Sequence, residues 1–257
     1  MYAFKSFVYL DAPKTGSSFI CSILRKFIAE EEEQKEPHVP FKGTYSSDKF
    51  HFISVRNPLD QYISLYSFGC ESKGALFACL HSQQLEGLYD GTWKGFLGWL
   101  DFVLDPQNAR YIPAHYKKLG KLRRIVGYQS SRVLCLAMRD GGRSLAECET
   151  REDVTAAYAA ARIPDYVVRY ESLRADMENL LCTRLRDSVS DMDAALAFIR
   201  ENRARNSSNR VDRFEQNPGL GKRREAFLWE REWPMQAFFG YQPVQKGIGN
   251  PVTVACV

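Results

Sequence analysis

The chain opens on an apolar run, Phe4 to Leu10, of strand length and rich in aromatic and β-branched residues. A loop with Pro and Gly follows, from Asp11 to Ser18. Apolar residues then recur at Ile20, Ile23, Leu24 and Phe27, the spacing of one helix face, with Ser17 or Ser18 placed to cap it. The opening therefore predicts strand, tight loop and helix. The charged stretch Glu30 to Glu36, ended by Pro37, reads as a solvated helix end, and 37–49 as polar turns. His51 to Val55 predicts a second strand. Pro58 then opens a helix whose apolar face holds Tyr62, Ile63, Leu65 and Tyr66.

Residues 72–124 read as helices joined by loops. Val133 to Ala137 and Tyr166 to Val168 are short apolar runs that predict buried strands. Ser172 is placed to cap a helix with Leu173, Met177, Leu180 and Leu181 on one face, and Asp191 to Arg200 repeats the pattern. A mobile polar loop is expected from Asn206 to Arg224, and one aromatic helix from Phe227 to Phe239. Strands alternating with helices predict an α/β fold with a mainly parallel central sheet flanked by helices. No repeat or linker divides the 257 residues, so a single domain over 1–257 is expected.

Composition removes several function classes. A 45% hydrophobic, 26% charged chain is neither disordered nor built of membrane spans. Tyr2 to Leu10 is too short to cross a bilayer and is interrupted by Lys5, so a cytoplasmic protein with no membrane span is expected. A net charge of +4 is small for a nucleic-acid partner and suits a pocket for an anion. The 7 cysteines are odd in number and lack CxxC spacing, which points to reduced thiols rather than a disulfide framework or a zinc site.

The chemistry concentrates in two places. Pro13-Lys14-Thr15-Gly16-Ser17-Ser18 lies between strand and helix, where backbone N–H groups and the helix dipole favour a bound anion. Gly16 lets the backbone approach closely, and Lys14 adds a mobile cation. Lys14 precedes Gly16, so this is not the Gly-Lys-Ser/Thr loop of nucleoside triphosphatases. The second motif is Val55-Arg56-Asn57-Pro58, with Ser64 eight residues after the Arg. Arg56 ends a strand at the carboxyl edge of the sheet, and Ser64 comes about two turns into the next helix. Such a pair can grip one phosphate.

Together these motifs resemble the PAPS-dependent sulfotransferase family, where PAPS is 3′-phosphoadenosine 5′-phosphosulfate. Members carry Pro-Lys-x-Gly-(Ser/Thr)-(Ser/Thr) after the first strand and Arg-x-Pro with a Ser eight residues on. Val168 to Leu173 is similar to the family's Arg-Tyr-Glu-Asp-Leu segment, and Phe238-Phe239-Gly240-Tyr241 to its closing Phe-Gly-Tyr. The resemblance implies a P-loop-like α/β fold and an enzyme moving a sulfuryl group from PAPS to a hydroxyl or amine, with 3′-phosphoadenosine 5′-phosphate (PAP) as product and no metal. It implies that Lys14, Thr15, Gly16, Ser17 and Ser18 hold the 5′-phosphosulfate, that Lys14 stabilises the leaving phosphate, and that Arg56 and Ser64 hold the 3′-phosphate. Phe19 stands where cytosolic members stack an aromatic on adenine; a helix core position explains it equally.

His38, His51 and the acidic run are the candidate bases; Lys35-Glu36-Pro37-His38-Val39-Pro40 resembles the family's Lys-Thr-His-Leu-Pro segment, which makes His38 the expected one, with an exposed loop histidine as the other reading. The insert before it is shorter than in the family. Lys222 and Arg223 loosely match the basic loop that closes on the 3′-phosphate, and a solvated charge cluster explains them as well. The acceptor, a small molecule or saccharide, is not written in the sequence. Two other readings share the opening: a P-loop kinase or nucleoside triphosphatase, and a non-catalytic nucleotide-binding protein on the same scaffold.

Overall fold

The structure, a computed structural model, describes residues 1–40, 45–201 and 219–243. Five strands form one sheet: β1 (Tyr2–Phe4), β2 (Phe7–Leu10), β3 (Glu32–Lys35), β4 (Phe50–Val55) and β5 (Tyr166–Arg169), in the order β3-β1-β2-β4-β5. The sheet is mixed rather than mainly parallel. Strands β2, β4 and β5 run parallel, and β1 pairs antiparallel with both β2 and β3.

The antiparallel half comes from two local features read differently above. Lys5 and Ser6 are exposed and turn the chain, so Phe4 to Leu10 is not one strand: Phe4 ends the first arm of a hairpin and Phe7 to Leu10 is the second, with Tyr2 opposite Tyr9. The charged stretch expected as a solvated helix end holds edge strand β3, with side chains alternating between half-buried and exposed. Charged residues suit a sheet edge because they discourage pairing with another chain.

The helices follow in chain order: α1 (Ser17–Phe27), α2 (Pro58–Cys70), α3 (Ala75–His81), α4 (Trp93–Leu104), α5 (Ala114–Lys117) and α6 (Tyr128–Ala137). They continue as α7 (Gly141–Ala146), α8 (Arg151–Ala161), α9 (Leu173–Thr183), α10 (Met192–Glu201), α11 (Lys222–Arg231) and α12 (Trp233–Phe239). Val133 to Ala137 is thus the end of α6, not a strand. This helix is buried along nearly its whole length, so its apolar run carries no periodicity to tell it from a core strand. The expected aromatic helix is two helices, with the break at Glu232 just before Pro234 at the start of α12.

One sheet face packs against α1, α9 and α10 through Ile20, Leu24, Met177, Leu180 and Ile199. The other packs against α6 and α12 through Val133, Leu136, Met235 and Phe239. A third core, centred on Tyr62, Tyr66, Phe96 and Trp99, fills the helical half between β4 and β5. Among the described residues no helix is long and apolar enough to cross a membrane, and six cysteines are free thiols. Residues 206–218 of the expected loop lie outside the described residues; Lys222 to Arg224 instead open α11.

Candidate functional site

Strand β2 delivers the chain to Asp11, and α1 begins at Ser17, so the intervening residues must turn sharply. Gly16, not Ser17 or Ser18, is the N-cap; its φ of 95° is the left-handed conformation that glycine adopts without strain. A Cβ there would sit 2.8 Å from Leu173 Cδ2 and 3.3 Å from Tyr170 Cδ2. Glycine is therefore required both for the turn and for close packing against the segment after β5. Lys14 also takes a positive φ, 67°, a costlier conformation for a side chain of its size.

Thr15 anchors the loop rather than presenting its hydroxyl to a ligand. Its Oγ1 donates to the Ala12 carbonyl at 2.6 Å and pairs with Ser54 Oγ at 2.5 Å, and Ser54 in turn pairs with Tyr9 at 2.7 Å. Ser17 Oγ donates to the same Ala12 carbonyl at 3.3 Å. Ser18 is exposed at the first turn of α1. What the loop offers an anion is mainly backbone: amides at a helix N-terminus, with the positive end of the dipole behind them.

Helix α2 supports the loop from the other side. Gln61 Nε2 donates to the Pro13 carbonyl at 2.9 Å, and Lys14 Nζ lies 4.0 Å from the centroid of Phe68. Gln61, Ser64 and Phe68 are three and four residues apart, so they share one helix stripe. That stripe places half-buried Ser64 between the two residues that touch the loop. Burial, and then the Arg56 guanidinium, hold the Lys14 ammonium below its ordinary pKa of 10.5.

Arg56 follows the last residue of β4 and is nearly buried, at 4% exposure. Its Nη1 donates to the Lys14 carbonyl at 3.3 Å, and its guanidinium stacks 3.9 Å from the Tyr170 centroid. A cleft of about 420 Å³ opens beside this stack, lined by Phe19 and residues Tyr170 to Ala175. That volume suits a small ligand. Phe19 is half-buried on the wall of this cleft rather than wholly within the core.

His38, with a φ of 60°, sits at the entrance of the loop. Its Nδ1 lies 3.1 Å from Asp11 Oδ2 and 3.3 Å from the Asp11 carbonyl. Asp11 is 1% exposed, so its carboxylate is a fixed partner. A proton on Nδ1 leaves Nε2 as the acceptor atom of the neutral ring. His51, by contrast, is buried within β4, stacks on Tyr45, and is structural.

The structure thus brings together Lys14, Gly16, Ser17, Phe19, Arg56 and the Ser64 stripe. Lys222 and Arg223 are exposed at the start of α11, where the next residue, Arg224, pairs with Asp101 of α4 at 2.9 Å. Among the described residues, no hydrogen bond or ion pair joins those two to the loop. Sequence reasoning did not single out Asp11, Gln61, Phe68 or Tyr170 as site residues. Tyr170 lies in the segment similar to the family's Arg-Tyr-Glu motif, which was its only signal. The other three are recognisable only from contacts made across the fold. No family model matches the chain, and neither does any curated protein or solved structure.

Proposed function

We propose that the protein is a PAPS-dependent sulfotransferase acting on a hydroxyl or amine of a small-molecule or saccharide acceptor. The observation that carries this reading is the contact of Arg56 with both sides of the site. One guanidinium nitrogen reaches the Lys14 carbonyl, and the guanidinium plane lies on Tyr170 at the mouth of the cleft. The Arg56 guanidinium therefore joins the loop that carries Lys14 and opens α1 to a cleft walled by Phe19 and Tyr170. This donor set fits a ligand with two separate phosphate groups and a flat base.

Each residue then has a definite task. The cleft between Phe19 and Tyr170 takes the base by stacking. Arg56 and Ser64 take the 3′-phosphate, the Arg through its planar fork. The loop amides and Lys14 take the 5′-phosphosulfate. The reaction is an in-line displacement at sulfur: the acceptor oxygen or nitrogen forms its bond as the bond from sulfur to the bridging phosphate oxygen breaks. Negative charge grows on the departing phosphate, and the Lys14 ammonium stabilises it. The acceptor proton passes to His38 Nε2, with Asp11 holding the other ring nitrogen.

Calorimetric titration with PAP, AMP and ATP-Mg²⁺ tests the reading. Tight binding that requires the 3′-phosphate and is indifferent to Mg²⁺ is expected. Preference for ATP-Mg²⁺, with no gain from the 3′-phosphate, would overturn it in favour of a nucleoside triphosphatase-like enzyme.

A further inference from the structure

Glu171 connects three segments that are remote in sequence. Its Oε1 accepts the backbone N–H of Asn57 at 2.7 Å, and its Oε2 accepts the hydroxyl of Tyr241 at 2.8 Å. Asn57 is the residue after Arg56 and the N-cap of α2, with its own side chain accepting from Leu59 N at 3.0 Å. The Arg56 guanidinium rests on Tyr170, the residue before Glu171. The turn after β5 therefore holds Arg56 twice: its head through the Tyr170 ring, and its following peptide through the Glu171 carboxylate.

Tyr241 is built to stay in place. It follows Gly240, whose φ of 69° ends α12, and its amide donates to the Met235 carbonyl at 3.1 Å. The tyrosine is 8% exposed, and its ring lies 5.6 Å from the Arg169 guanidinium. Burial and the neighbouring carboxylate push its phenol far above the ordinary value, so it remains a hydrogen-bond donor at any working pH.

We infer that Glu171 is a positioning residue for the 3′-phosphate site, and that Tyr241 fixes the Glu171 carboxylate so that it presents Arg56 in its binding orientation. This rests on the reading of Arg56 as the 3′-phosphate ligand. Neither residue needs to touch the phosphate. Removing the bridge frees the peptide after Arg56, and the cost falls on the contact Arg56 makes rather than on the base or the 5′-phosphate.

The test is the ratio of PAP affinity to AMP affinity, measured by calorimetry for the full chain, Tyr241→Phe and Glu171→Gln. The expected result is a ratio about tenfold lower in each variant, the scale of one lost hydrogen bond to a charged group, with AMP affinity unchanged in Tyr241→Phe, whose ring does not line the cleft. Two outcomes overturn the inference: a ratio equal to that of the parent chain, or a parallel loss of PAP and AMP binding, which marks a merely structural role. If the parent chain itself does not prefer PAP to AMP, the assignment of Arg56 fails, and the inference fails with it. Tyr241→Phe keeps the buried ring, so thermal unfolding of that variant should stay close to the parent.

Discussion

The Nδ1 atom of His38 lies 3.1 Å from Oδ2 of Asp11, in a carboxylate that is almost wholly buried at the end of β2. The pairing joins the loop residue expected to be the base to the first residue of the loop between β2 and α1. For general-base chemistry it orients the ring and holds the tautomer that leaves Nε2 open to a proton.

His38→Ala should therefore lower the transfer rate about a hundredfold while leaving PAP affinity unchanged. Asp11→Asn should act in the same direction, because an amide can offer N–H to Nδ1 and select the wrong tautomer. The check is a transfer assay at saturating PAPS, paired with calorimetric titration of each variant. A normal rate in His38→Ala would move the base elsewhere.

Gly16→Ala is expected to damage both stability and binding. The new methyl would meet Leu173 Cδ2 at 2.8 Å, at a φ of 95° that alanine resists. Backbone strain of this kind costs about 1–3 kcal/mol. Leu173 and Tyr170 also border the cleft, so any shift that relieves the clash reshapes the ligand wall. Denaturant midpoints and PAP affinity should fall together.

Features set by local chemistry could be read in the sequence, and features set by distant packing could not. The turn from β2 into α1 was legible because Pro, Gly and two Ser break the apolar pattern between a strand and a helix-period run. Arg56 was legible because it ends an apolar strand and precedes a helix-opening Pro58. Val133 to Ala137 was misread because a helix buried all round loses the periodicity that identifies it. Lys5 was read as an interruption of the apolar run, but not, together with Ser6, as the turn of a hairpin. Phe68 and Asp11 carry no motif; each becomes a site residue only when the fold places it against Lys14 or His38.

PAP affinity should depend on pH through Lys14. Burial and the Arg56 charge lower the Lys14 pKa from 10.5, so the unliganded protein loses this proton at a lower pH than an exposed lysine does. A bound phosphate favours the charged form and opposes the shift. Affinity should therefore be retained on the acid side and decline as pH rises through the lowered value, before 10.5 is reached. Lys14→Met should bind PAP more weakly, lack this decline, and support no transfer. Titrations across the alkaline range in both proteins make the comparison.

Glu232 provides a pH effect on stability that is separate from the site. It is fully buried at the break between α11 and α12. Its Oε1 accepts from the Tyr62 hydroxyl at 2.5 Å, and its Oε2 from Ser130 N at 2.7 Å and Ser130 Oγ at 2.6 Å. Burial raises its pKa above the ordinary 4.5, although the hydrogen bonds and Arg231 pull the other way. The native state thus holds the proton more tightly than the unfolded chain. As pH rises above 4.5, the unfolded chain ionises first, so the native state loses stability through the interval up to the raised value. Glu232→Gln has no proton to lose, and the Tyr62 hydroxyl can turn to accept from the amide that replaces Oε1. The stability difference between parent and variant should therefore shift in favour of Gln as pH rises above 4.5, as read from urea midpoints. A difference that does not vary with pH would show that Glu232 ionises as an ordinary carboxylate.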